Sequence, residues 1–93
     1  MKMIVARHPA VAEFVRAERP DFAGATVLDS TVTAEDVFWN EVAGVLPLHL
    51  IVFTARFWAV EFSGAPPRGV EYGLDEMRAA GARLVEYRVE VVE

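Results

Sequence analysis

The chain contains two short apolar runs that each end at a proline: Met3-Ile4-Val5-Ala6 followed by Arg7-His8-Pro9, and Glu41 to Leu46 followed by Pro47. A continuous apolar run of this length reads as a strand buried on both faces. Proline suits the first turn of a helix, where a backbone N–H has no intrahelical acceptor to lose. Two strand-to-helix junctions of this kind imply β-α-β connections and therefore a mostly parallel sheet with helices packed on it. In open α/β folds ligands bind beyond the carboxyl ends of strands, so Arg7 and His8 stand where a cation and a titratable imidazole would meet an anion.

The remaining elements alternate around these junctions. Val11, Phe14 and Val15 mark one face of a helix over residues 10–18 that stops before Pro20. Ala25-Thr26-Val27-Leu28 reads as a second strand, and Thr33-Ala34-Glu35-Asp36 has the Thr-x-x-Asp spacing that opens a single helical turn. Leu48 to Ala55 predicts a helix that is apolar nearly all round, which needs cover on both sides and is expected to find it at a subunit interface. Phe57 to Phe62 alternates as a fourth strand, and Ser63 to Gly69 is a loop. Gly73 caps the last helix, Asp75 and Glu76 favour its first turn, Gly81 ends it, and Ala82 to Val92 forms the closing strand. The predicted order is β-α-β-β-α-β-α-β in one domain, residues 1–93, arranged as a mostly parallel three-layer sandwich.

Composition removes several functional classes. A domain of 93 residues buries a modest share of its surface and gains from pairing with a second copy, so a homodimer is expected. No apolar run is long enough to span a bilayer and no signal-peptide core follows Lys2, so the chain reads as soluble and cytoplasmic, with no membrane partner. Without cysteine there is no thiol nucleophile or thiolate site, and two histidines with no acidic cluster argue against a metal; no cofactor is expected. A net charge of -5 excludes a protein that wraps duplex nucleic acid, which requires many phosphates to be neutralised by Lys and Arg. An anionic ligand must then be met by a local positive site.

Three segments are candidates for that site. Arg7-His8-Pro9 and Leu46-Pro47-Leu48-His49 are strand-to-helix junctions that face one crevice if their strands are parallel neighbours. Pro66-Pro67-Arg68-Gly69 is a stiff loop whose glycine admits close approach and whose arginine offers a planar fork to phosphate oxygens. Glu71 is placed as a carboxylate that orients the arginines. Thr26, Asp29, Ser30 and Thr31 follow the second strand and are within reach of a ribose, yet small polar residues there ordinarily make turns, and they are not assigned to the site. Trp39 and Trp58 are assigned to the core.

Val5-Ala6-Arg7-His8-Pro9 with Glu13-Phe14, Gly44-Val45-Leu46-Pro47-Leu48-His49-Leu50, and Pro67-Arg68-Gly69-Val70-Glu71 with the segment from Glu76 to Leu84 together resemble, in order, a small CRISPR-associated accessory family of the Csx-sixteen type. Ala10 stands where that family has Gly, Phe14 where it has Trp, and Trp39-Asn40 where Gly-Asp is expected. The resemblance implies an α/β, three-layer Rossmann-like (CARF-like) sandwich. It also implies a ring nuclease of type III CRISPR defence, which degrades a cyclic oligoadenylate messenger, cyclic tetra-adenylate foremost, and so switches off the effectors it activates. Cleavage without a metal is expected, the ribose 2′-hydroxyl attacking its adjacent phosphorus, with Arg7 and Arg68 on the phosphate charge, His8 in proton transfer or phosphate binding, and His49 the alternative acid/base. Pro9, Leu46, Pro47, Leu48, His49, Gly69 and Glu71 would line the ligand, His49 from behind. The alternative is a non-catalytic module that holds the messenger as a sponge or sensor.

Overall fold

The computed structural model describes residues 1–65 and 72–93. Strands β1 (Lys2–Val5), β2 (Thr26–Leu28), β3 (Glu41–Gly44), β4 (Arg56–Phe62) and β5 (Ala82–Tyr87) form one sheet in the order β2-β1-β3-β4-β5. The first four are mutually parallel, and β5 runs antiparallel to β4. Helix α1 (Pro9–Glu18), a 3-10 turn (Pro20–Phe22) and the shorter helices α2 (Ala34–Val37), α3 (Leu48–Ile51) and α4 (Leu74–Ala79) supply the connections. The molecule is a mixed α/β protein with a mostly parallel sheet.

Successive residues of a strand point to opposite faces, and here that alternation sorts the core into two clusters. Ile4, Ala43 and Trp58 project toward Ala10, Val11, Phe14 and Val15 of α1, Phe22 of the 3-10 turn and Met77 of α4. Met3, Val5, Val42 and Phe57 project the other way, against Val37 of α2 and Leu50 and Ile51 of α3. The second side is covered by single helical turns rather than by a long helix. At Thr33 the expected helix start is present, with Thr33 Oγ1 accepting from the Asp36 N–H at 3.3 Å and Asp36 accepting from the Thr33 N–H at 2.8 Å.

Three expected element ends need correction. The helix read over residues 48–55 is only Leu48–Ile51. Thr54 Oγ1 donates to the Ile51 carbonyl at 2.7 Å, and the Ala55 N–H donates to Asn40 at 2.9 Å, so the chain turns into β4 instead of continuing. Leu50 and Ile51 are buried against the sheet, and Leu48 is 70% exposed in this chain. The third strand ends at Gly44 rather than Leu46, and the closing strand ends at Tyr87 rather than Val92.

Two backbone positions carry steric information. Gly44 has φ 126°, and a Cβ there would drive into the carbonyl oxygen of Val5, so β3 approaches β1 as closely as it does only because the residue is glycine. Trp39 has φ 58°, a left-handed conformation that glycine adopts without strain, and it is 71% exposed rather than part of the core. The strain is held by neighbours, the Trp39 N–H donating to the Phe53 carbonyl at 2.8 Å. Trp58 matches its core assignment at 4% exposure, edge-on to Phe22 at 5.6 Å. The guanidiniums of Arg19 and Arg56 lie over its ring, 4.5 and 4.6 Å from the centroid. Both cations are also paired, Arg19 with Asp21 and Arg56 with Glu86, each through two hydrogen bonds. The hydrogen bonds from Arg56 hold the Glu86 carboxyl below its ordinary pKa.

The two strained positions should respond oppositely to substitution. Gly44→Ala should destabilise the chain by about 3 kcal/mol or more, and Trp39→Gly should stabilise it by about 1 kcal/mol, both read from urea unfolding. Because the folded pKa of Glu86 is lowered, its contribution is present above the ordinary carboxylate range and is lost as pH falls through the lowered value. Parent and Glu86→Gln should therefore differ in unfolding midpoint at neutral pH and converge in acid.

Candidate functional site

The strand order makes β1 the branch point of the sheet. From β1 the chain moves to one side to form β2, then crosses back to form β3 on the other side, so the connections after β1 and β3 leave the sheet on opposite faces. Such a reversal opens a crevice beyond the carboxyl ends of the two strands, where ligands bind in folds of this kind. A cleft of about 500 Å³ lies there, reached by Val5 to His8 after β1, Leu28 to Val32 after β2, Val45 to Pro47 after β3, and Val11 and Tyr72. Backbone hydrogen bonds extend the strand ladders to its floor, from the Ala6 N–H to Leu28 at 3.0 Å and from the Val45 N–H to Val5 at 2.9 Å.

His8 occupies the N-cap of α1 with extended φ and ψ of -103° and 128°, but its side chain does not cap the helix. The imidazole instead packs on Tyr72, ring centroids 4.7 Å apart and planes inclined by 35°. The start of α1 is thus left without a side-chain acceptor, and no acidic residue occupies its first turn, so its positive end faces the cleft. Arg7 is exposed beside it and, among the described residues, makes no ion pair.

Most other described cations are engaged elsewhere. Lys2 pairs with Glu41 at 3.4 Å, Arg83 with Glu61 at 3.6 Å, and Arg16 donates to the Ala25 carbonyl at 3.0 Å, in addition to the Arg19 and Arg56 pairs. Among the described residues Arg7 is the only arginine or lysine lining the cleft, and Asp29 is its only carboxylate. Arg7, the helix start and the His8 imidazole can together hold an anion, and the imidazole can exchange a proton with it.

The structure brings Arg7, His8, Leu46 and Pro47 into one cleft. Pro9 faces an adjoining depression of about 360 Å³ that also borders Arg7, His8 and Asp29. Leu48 lies instead in a separate apolar groove with Ile51, Tyr87 and Val89, and His49 is exposed on α3 and is not among the residues lining the cleft. The extended backbone at Pro47, φ -59° and ψ 145°, ends at a one-turn helix that carries both residues past the cleft mouth. Arg68, Gly69 and Glu71 lie outside the described residues. Sequence reasoning missed Tyr72 and left out Asp29, Ser30 and Thr31, which line the cleft. The signal for the latter was their position after a strand parallel to β1; Tyr72 had none, because its partner His8 is distant in sequence.

No curated protein and no solved structure matches this chain. A protein family does match over residues 3–90, and its description reads "Putative CRISPR-associated protein (Cas_VVA1548)". That span takes in the cleft and all of the sheet but Lys2, nearly the whole sequence, and the chain belongs to this CRISPR-associated family.

Proposed function

We propose that this protein is a ring nuclease of the Csx-sixteen type, with a Rossmann-like three-layer fold, acting in the cytoplasm to bind and linearise cyclic oligoadenylate, most of all cyclic tetra-adenylate. The observation that carries this reading is the meeting of Arg7, His8 and the uncapped start of α1 in one cleft, in a chain of a CRISPR-associated family. A cleft of about 500 Å³ is the size of a small-molecule site and takes part of such a ring. A two-fold homodimer would present the same groups twice around a ligand that itself has rotational symmetry.

The chemistry requires no metal in this reading. The 2′-oxygen of one ribose attacks the adjacent phosphorus in line, forming the 2′-oxygen–phosphorus bond as the bond to the 5′-oxygen breaks. The 2′-hydroxyl proton is given up, and the departing 5′-oxygen takes a proton. The product ends are a 2′,3′-cyclic phosphate and a 5′-hydroxyl. Arg7 and the α1 amides stabilise charge on the phosphoryl oxygens, and His8, positioned by Tyr72, transfers the proton. Arg68, four residues before Tyr72 in the sequence, would add a second cation. Leu46 and Pro47 shape the opposite wall.

Incubation with cyclic tri-, tetra- and hexa-adenylate in excess chelator, with products resolved by chromatography, tests the reading. Linear product from the tetra-adenylate ring is expected, and Arg7→Ala and His8→Ala should each slow its formation by roughly a hundredfold. Parental rates in the His8→Ala chain would remove its proton-transfer role. Tight binding without product would make the protein a sponge or sensor, and no affinity for any ring would overturn the proposal.

A further inference from the structure

Asp29 is the feature of the cleft that anion binding leaves unexplained. It follows β2 directly, and the hydrogen bond from the Ala6 N–H to Leu28 holds that strand end beside Arg7. Asp29 borders Arg7 and His8 in both the main cleft and the adjoining depression, so it is on the same rim as the positive groups. An ionised carboxylate is an acceptor only and repels a phosphate brought against it. A ligand that bears a phosphate must then present a donor to this rim, at a short distance from its charge. Ser30 and Thr31, beside Asp29 in the cleft, carry hydroxyls that both donate and accept. Sugar hydroxyls have this same dual character, whereas the edge of a base offers donors and acceptors at separate atoms. The apolar side chains of Val11, Val32 and Leu46 offer the base its own surface.

We propose that Asp29, supported by Ser30 and Thr31, accepts a hydrogen bond from a ribose 2′-hydroxyl and makes the cleft selective for ribonucleotides over deoxyribonucleotides. A carboxylate at the end of the second strand of a parallel α/β sheet is well placed for this, since a phosphate at the first strand-to-helix junction sets the sugar within its reach. The inference rests on the reading of the cleft as a nucleotide site, but it does not depend on the ring or on cleavage. It also assigns Asp29 a part in orienting the 2′-oxygen, the atom that would attack in the proposed reaction.

Adenosine 3′-monophosphate and 2′-deoxyadenosine 3′-monophosphate are suitable probes because they keep the phosphate beside the 2′-position and neither has an internucleotide bond to cut. Titrations followed by the amide resonances of Arg7, His8 and residues 29–32 should show the parent chain preferring the ribonucleotide by about tenfold, the loss expected for a hydrogen bond to a charged acceptor. In Asp29→Ala the two affinities should become equal, and Asp29→Asn should retain part of the preference. Equal affinities in the parent, an unchanged preference in Asp29→Ala, or no shift at these amides with either nucleotide would each overturn the inference. Ribose preference in a chain that leaves cyclic tetra-adenylate intact would sink the nuclease reading alone. Cleavage of the ring without an Asp29-dependent preference would sink this one alone.

Discussion

The close approach of β3 to β1 at Gly44 is the constraint on which the rest of the structure depends. With no Cβ in the way, Gly44 sits against the Val5 carbonyl and the Val45 N–H bonds to that same oxygen at 2.9 Å. The two strands consequently end together, and the chain leaves them in opposite directions, into α1 on one face and toward α3 on the other. Any larger residue would separate the strand ends and close the crevice or displace its walls. The site is therefore a product of sheet topology first and of side-chain identity second.

The same geometry explains the poise of His8. Pro9 has no N–H and opens α1 three residues after Ala6, which leaves His8 as the N-cap with its backbone extended. A serine or aspartate in that position would bond to the helix amides and fill the place an anion needs. Histidine leaves them open, and its ring finds Tyr72 instead. Tyr72 comes from the segment entering α4, whose Met77 is fully buried against the same core as α1. The imidazole is thus oriented by packing on the β4-to-β5 connection, which couples the cleft to an element from the far end of the chain.

Much of the fold was legible because its determinants are local. The strand starts, the Thr33 helix start, the alternation in β4 and the Gly73 and Gly81 ends of α4 each rest on a few neighbouring residues, and their structural positions differ from the expected ones by little. The errors fell where tertiary contacts overrule local preference. Leu48 to Ala55 has helical composition, but hydrogen bonds from the Ala55 N–H to the Asn40 carbonyl and from the Trp39 N–H to the Phe53 carbonyl bend it into β4 after one turn. Trp39 reads as a core aromatic, yet it sits at a left-handed position that side-chain chemistry does not announce. For the cleft, Arg7, His8, Leu46 and Pro47 were legible from their junctions. Asp29 to Thr31 were visible there too but read as turn formers, because their place in the cleft comes from the adjacency of β2 to β1, which strand order decides.

An acidic chain that is to hold an anion must concentrate positive potential locally, and the arrangement of ion pairs accomplishes this by subtraction. With a net charge of -5, diffuse attraction of a phosphate is unfavourable. Lys2, Arg19, Arg56 and Arg83 are each matched with a carboxylate, so their fields fall off quickly. Arg7 and the uncapped end of α1 are left as a localised positive region beside the cleft, and the low-dielectric wall of Val5, Val11 and Leu46 lessens the screening that water would impose. Asp29 on the same rim limits what this region accepts. A bare anion gains from Arg7 and is repelled by the carboxylate, whereas a ligand with a hydroxyl donor close to its phosphate satisfies both groups at once. On the reading proposed above, the cleft selects by the spacing between charge and donor, which a ribonucleotide supplies through its sugar.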